Sequence, residues 1–280
     1  MRAEERLFAL FANVRKGLMP GDDVDAVKFG DAYLVSNVDG FAAKRVMMNF
    51  MDLRDVGWRG VVACASDLVA KLVKPEYFLF SVYAEDYKKA EELSKGVAEA
   101  ALEYGLTFLG ADTNEGEEAV DVFCFGKSQF LPPPLGGAEP GDAVVLPEGC
   151  WGCVAECLRG KFFEHCKRPK VRVELVDRLA PLRDSIKAST DSSDGLALSL
   201  FKIAKASGVR IRLESPPPGP LGEKGFYGGE EYLPVLVVER DSAEEVARLV
   251  GGKVVGFVEE GEPTVLYKGK ELSPEGWEWF

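Results

Sequence analysis

The run Leu131-Pro132-Pro133-Pro134-Leu135-Gly136-Gly137-Ala138-Glu139-Pro140-Gly141-Asp142 restricts the fold of this chain more than any other segment. Prolines lack a ladder donor and glycines weaken regular structure, so the run can neither continue a helix nor sit centrally in a sheet. It therefore splits the chain into units 1–130 and 141–280, with 131–140 as linker. A length of 280 residues and 46% hydrophobic composition suit two cored domains better than one.

Apolar spacing predicts a first helix from Ala3 to Lys16, with Leu7, Phe8, Leu10, Phe11 and Val14 inward and Gly17 as its stop. Strand-like runs at Ala32 to Asn37, Tyr77 to Tyr83, Leu106 to Leu109 and Ala119 to Phe125 are interleaved with helices at Ser66 to Val73 and Tyr87 to Tyr104. The second unit starts near Ala143 and has strands at Val209 to Glu214, Leu233 to Glu239 and Lys253 to Val258. Ser242-Ala243-Glu244-Glu245 reads as a capping box opening a helix to Val250. The layout is mixed α and β.

No apolar run approaches the roughly 20 residues needed to span a bilayer. Met1-Arg2-Ala3-Glu4-Glu5-Arg6 is acidic too early for a secretory signal, so a cytoplasmic protein without a membrane partner is expected. A formal charge of -12 argues against a nucleic-acid partner, while phosphate substrates remain open if metal cations bridge the charges. One glutamine, one histidine and four asparagines, against 29% charged residues, point to a thermophilic source.

Cys150, Cys153, Cys157 and Cys166 fall close together beside His165, apart from Cys64 and Cys124. The spacing lacks the second paired knuckle of common zinc modules, which weakens a zinc reading. Buried free thiols are the favoured expectation, with disulfides left open because hyperthermophile cytosols tolerate them.

Aspartates recur where elements begin or end: Asp22-Asp23, Asp39, Asp67, Asp112, and Asp191 with Asp194. The last two are placed in the first turn of a helix carrying Leu196, Leu200 and Ile203, where a cap explains one carboxylate and hardly both. Carboxylates converging on one cavity repel one another unless divalent cations neutralise them, and hard oxygen donors without imidazole or thiolate select magnesium. No P-loop and no kinase-type glycine loop occurs, so a bound ATP would be held through metal.

These residues resemble the thiamine-monophosphate kinases, within the superfamily of aminoimidazole ribonucleotide (AIR) synthetase, selenophosphate synthetase and HypE. Gly21-Asp22-Asp23, Val35-Ser36-Asn37-Val38-Asp39, Asp55-Val56-Gly57-Trp58-Arg59, Ser66-Asp67-Leu68, Leu109-Gly110-Ala111-Asp112-Thr113 and Asp191-Ser192-Ser193-Asp194-Gly195-Leu196 are similar to its successive motifs. Gly228-Gly229-Glu230-Glu231-Tyr232 and the terminal Gly276-Trp277-Glu278-Trp279-Phe280 are similar to elements of the kinase branch.

The resemblance implies an α+β, two-domain AIR-synthetase-like fold, in which N-terminal sheets meet in a homodimer barrel and the C-terminal half forms an α/β sandwich. It implies direct in-line phosphorylation of thiamine monophosphate by ATP, with no general base assigned. Asp23, Asp39, Asp67, Asp112, Asp191 and Asp194 would be magnesium ligands. Gly110, Ala111, Asp112 and Ser193 would lie at ATP, and Glu230 and Trp277 at the substrate. Val46 stands where the family has a substrate-contacting histidine and Leu135 where it has an arginine, leaving Lys44 or Arg45 as an alternative phosphate contact. Two other readings stay open: a related ATP-dependent enzyme with a different acceptor, and a nucleotide-binding regulator without turnover.

Overall fold

A computed structural model of the chain describes Leu7 and residues 9–276. In the first half, β1 (Asp25–Phe29) pairs antiparallel with β2 (Ala32–Ala42), which continues through a helical turn, α1 (Ala43–Val46). Helix α2 (Leu53–Ala70) leads to β3 (Tyr77–Ala84), and α3 (Tyr87–Tyr104) leads to β4 (Thr107–Glu115) and β5 (Ala119–Ser128). The five strands form one sheet in the order β1-β2-β5-β3-β4, with β4 as an edge parallel to β3.

Helix α2 begins well before the expected Ser66. Its residues are buried almost all round, so it lacks the one-sided apolar stripe that periodicity detects. Asp52 opens it with a reciprocal capping box: its side chain accepts from the Asp55 N–H at 3.1 Å, and the Asp55 carboxylate accepts from the Asp52 N–H at 3.0 Å. A Cβ on Gly57 would collide with the Leu93 carbonyl, and one on Gly96 with the Arg54 carbonyl, so these glycines let α2 and α3 meet backbone to backbone.

One face of this sheet packs on the helices through Val120, Val122 and Cys124. The other carries Val27, Val38, Tyr77, Tyr83 and Phe123, all substantially exposed in the single chain, and Leu109 is exposed beside them on β4. That is a large uncovered apolar surface.

The second half has a seven-stranded sheet in the order β12-β11-β8-β10-β6-β9-β7. Its strands are β6 (Ala143–Pro147), β7 (Ile186–Asp191), β8 (Arg210–Leu213), β9 (Pro234–Val238), β10 (Gly252–Glu259), β11 (Thr264–Tyr267) and β12 (Lys270–Glu271). Short helices α4 (Cys153–Leu158), α5 (Glu164–Lys167) and α6 (Glu174–Leu179) precede β7. Helix α7 (Leu196–Ser207) covers one face of the sheet, and α6 with α8 (Ala243–Val250) covers the other. Among the described residues no strand is shared between the sheets, and the proline-rich run lies between Ser128 and Ala143. Among them, too, no helix is long and apolar enough to cross a membrane.

Four local expectations change. Residues 3–6 and Phe8 of the expected first helix lie outside the described residues, while Leu7, Leu10, Phe11 and Val14 are exposed instead of inward. Asp191 ends strand β7 and Asp194 sits in the loop before α7, whose N-cap is Gly195, so neither carboxylate occupies the first helical turn. Ser242 forms no capping box, because its hydroxyl is 2.9 Å from the Ser185 hydroxyl. The favoured free thiols are also overturned at four positions: Cys150 pairs with Cys153 and Cys157 with Cys166. The turn at Gly152 and the packing of α4 on α5 bring the paired Cα atoms to 5.4 and 6.7 Å, within bridging range. Cys64 and Cys124 are free, and both are buried.

Candidate active site

Five of the six candidate metal ligands come from segments that meet between the two halves. Asp23 follows the Gly21 turn, Asp39 lies on β2, Asp67 on α2, Asp191 at the end of β7 and Asp194 before α7. Ser66, adjacent to Asp67, donates to Asp191 Oδ2 at 2.6 Å and so joins α2 to β7. The Asn37 amide donates to Asp67 Oδ2, and Lys202 Nζ lies 2.9 Å from Asp194 Oδ2.

The carboxylates feel one another. Burial pushes the Asp191 carboxyl up to about 7, helped by Asp23 and Asp194, while the Ser66 hydrogen bond and Lys202 pull it down. Asp39 keeps some accessible surface, but its carboxyl is enclosed; that burial, with Asp191, Asp194 and Glu230 nearby, pushes it to about 7 against a hydrogen bond from the Gly40 N–H. Burial raises Asp67 well above the usual carboxylate range, with Asp191, Asp23 and Asp39 adding to the rise and Lys71 opposing it.

Among the described residues no three such side chains already close into a metal-ligand cluster. Their chemistry nevertheless fits a hard divalent cation. The donors are all carboxylate oxygens, their repulsion disfavours full ionisation without a countercharge, and Asp23 Oδ2 is buried without a hydrogen bond.

Asp112 is placed elsewhere. It lies on edge strand β4, separated from β2 by β5 and β3, three strand spacings or about 14 Å away. Register aligns it with Ser81, Asp121 and Gly40, so it faces away from Asp39 on the uncovered apolar side of the sheet. Gly110 and Ala111 share that edge strand, and Asp112 Oδ2 accepts from the Asn114 amide at 2.9 Å.

Beside the acidic group lies a pocket lined by Arg45, Val46, Met48, Val154, Leu158 and Ser193, with the Gly228–Glu230 segment as its floor. Both disulfides brace the α4 wall from behind. The Glu230 carboxylate pairs with fully buried Arg59, its N–H donates to the Ser193 carbonyl at 2.6 Å, and its carbonyl is 3.0 Å from His165 Nε2. Burial lowers the His165 pKa, and Arg59 adds to that effect, which favours neutral imidazole there. Glu230 and Tyr232 hold left-handed backbones, φ 59° and 53°, around a buried clamp: Glu231 accepts from Gly152 N–H at 3.0 Å, Gly229 N–H at 3.1 Å and Ser192 Oγ at 2.8 Å.

Lys44 and Arg45 are now distinguished. Lys44 is exposed and pairs with Glu117, whereas Arg45 lines the pocket next to Val46. Leu135 contributes through its backbone, donating to Asp22 Oδ2 at 2.7 Å. Trp277 lies outside the described residues.

Sequence reasoning missed Lys71, Arg59 and Glu231 as site residues. Lys71 follows Asp67 by one helical turn, and Arg59 follows Asp55 likewise, but such spacing is common on solvated helix faces and does not reveal burial.

Comparison with known proteins agrees with this geometry. The family model described as AIR synthase related protein, N-terminal domain, matches residues 21–128. A protein of Pyrobaculum calidifontis named thiamine-monophosphate kinase is 35% identical over 93% of this chain and 91% of its own length. The crystal structure of a Thermus thermophilus protein superposes with a TM-score of 0.86 at 32% identity, covering 97% of this chain and 98% of that one. The structure of AaThiL complexed with AMPPCP and TMP superposes with a TM-score of 0.84 at 25% identity, covering 100% of this chain and 99% of that one. On end-to-end similarity to the curated kinase, the chain belongs to the thiamine-monophosphate kinase family.

Proposed function

We propose that this protein transfers the γ-phosphoryl group of ATP directly to thiamine monophosphate, giving thiamine diphosphate and ADP. The observation that carries the reading is the adjacency of two unlike environments: a group of mutually repelling carboxylates, and an apolar pocket that reaches it through Ser193 and Glu230. The heterocycles of thiamine suit the apolar wall, and Arg45 suits their phosphate. In this reading Glu230, which lines the pocket, and Trp277 are the residues assigned to the thiamine part of the substrate.

Asp23, Asp39, Asp67, Asp191 and Asp194 are the residues that would hold magnesium, whose charge when bound would offset that gathering on the phosphates. The acceptor is a phosphate oxygen, already anionic at neutral pH. No general base is needed, and a site with a single histidine suffices. The chain's own part is to orient both phosphates and exclude water.

The protein acts as a homodimer in this reading. Val38, Phe123, Tyr77 and Leu109 form an exposed apolar sheet face that a second copy would cover, and Asp112 shares that face and edge. Gly110, Ala111 and Asp112 would then serve the partner's nucleotide site. We take 1–130 and 141–280 as the domains, and the cytoplasm as the compartment that supplies ATP.

The test is chromatographic detection of thiamine diphosphate after incubation with ATP, thiamine monophosphate and Mg²⁺ at elevated temperature. Product that disappears with EDTA is expected; absence of product at every temperature would overturn the reading.

A further inference from the structure

Among the described residues, Lys71 is the one ammonium group in the acidic site with no exposure at all. It stands at the C-terminal cap of α2, where Leu72 turns the chain back with a left-handed backbone, φ 55°. Its Nζ pairs with Asp22 Oδ1, donates to the Ser189 carbonyl of β7 at 2.5 Å, and lies at ion-pair distance, 3.4 Å, from Asp23 Oδ2. The three belong to the Gly21 turn and to β7, so one side chain ties α2 to both walls of the site. Asp22 is secured independently by the Leu135 N–H. Asp23 Oδ2 makes no hydrogen bond and keeps its accepting capacity for another cation.

We propose that Lys71 is a permanent internal countercation of the acidic site, holding Asp22 and Asp23 in place whether or not a divalent ion is bound. This rests on the reading of the aspartates as a magnesium site. Without Lys71 the metal-free protein would bury Asp23 close to Asp67 and Asp191, and Asp22 beside it, with Lys202 on Asp194 as the other cation of the group, so the Gly21 turn would lose the charge that holds it against α2 and β7. With it, the site stays assembled when empty, and the carboxylate charge that remains sets the affinity for metal. Lys71 is thus a positioning residue: it touches ligands and neither substrate.

The experiment compares wild type, Lys71→Met and the double variant Asp22→Asn/Lys71→Met. Each is unfolded thermally in EDTA and in Mg²⁺, and Mg²⁺ binding is measured by calorimetry without nucleotide. Removing one partner of a buried pair should lower the Tm of Lys71→Met in EDTA by about 10 °C. Mg²⁺ should restore more of that loss than it adds to wild type, and should bind about tenfold more tightly to Lys71→Met. Deleting the stranded charge at Asp22 should recover part of the Tm in EDTA.

A Lys71→Met protein with wild-type Tm in EDTA would overturn the proposal. So would an equal loss in EDTA and Mg²⁺ with no recovery in the double variant, which would make Lys71 a packing residue. If Lys71→Met does not fold at all, a folded double variant supports the proposal and an unfolded one overturns it. A wild type whose Tm and calorimetry ignore Mg²⁺ would count against the magnesium reading instead, since the EDTA comparison is made without metal.

Discussion

Replacing Glu231 with glutamine should remove a pH-dependent weakness of this fold. The carboxyl is fully buried, and burial raises it from an ordinary 4.5 to about 7 despite its hydrogen bonds from Gly152, Gly229 and Ser192. An acid whose folded pKa is raised holds its proton longer in the folded than in the unfolded chain. Its contribution is therefore complete below the unfolded value and is lost as pH rises from about 4.5 to about 7. At about 1.4 kcal/mol per pH unit across that window, the loss amounts to about 3 kcal/mol. Glutamine keeps an acceptor oxygen for the two backbone N–H groups, both of which bond Oε1, and places its amide at Oε2, where the Ser192 hydroxyl can accept instead of donate. The variant should match wild type near pH 4.5 and exceed it by about 3 kcal/mol at pH 8, or by about 6–12 °C in Tm. The assay is thermal denaturation of both proteins in EDTA from pH 4.5 to pH 8. Asp39, Asp67 and Asp191 titrate alike in both, so the difference curve isolates Glu231. Parallel curves would refute the reasoning.

Other substitutions separate the parts of the site. Asp67→Asn should cut the Mg²⁺-dependent rate by about 10²-fold or more with an unchanged circular dichroism spectrum, and near-normal turnover at saturating Mg²⁺ would remove Asp67 from the ligand set. Val154→Ser on the α4 wall should raise KM for thiamine monophosphate by about tenfold while leaving KM for ATP unchanged, as measured in steady-state kinetics. Breaking the Cys157–Cys166 bridge by double alanine substitution opens a link between residues nine apart, worth about 2–3 kcal/mol by chain entropy, and should lower Tm by about 5–10 °C in calorimetry. Val38→Lys on the uncovered sheet face should shift the protein to monomer in light scattering and abolish turnover, because Asp112 would no longer reach a partner's site.

Legibility in the sequence followed physical distinctness. Helix α3 has one apolar side and capped ends, and its span of Tyr87–Tyr104 is the one that spacing predicts. Helix α2 is wrapped in protein on every side, so its first three turns carry no periodic signal even though they deliver Arg59 and lead to Asp67. Spacing alone puts the Asp191 segment a few residues too far into its helix, because Gly195 caps the helix without a side chain that spacing could recognise. The aspartate pattern points to a shared acidic site, and five of its members meet between the two halves even though Asp39 and Asp67 lie inside β2 and α2 and not at their ends. What it could not reveal was where each lies across a sheet: Asp112 resembles the others in sequence, yet pleat and strand order send it to the far face. The cysteines show the same limit, because pairing depends on a turn at Gly152 and on the docking of α4 against α5.

Direct transfer to thiamine monophosphate is tested most directly by following the label from γ-³²P-ATP in a single turnover with Mg²⁺ and thiamine monophosphate at elevated temperature. The expected result is label in the terminal phosphoryl group of thiamine diphosphate, appearing as ATP is consumed, with none on the protein. Label found in inorganic phosphate or bound to the polypeptide, with no labelled thiamine diphosphate, would contradict it.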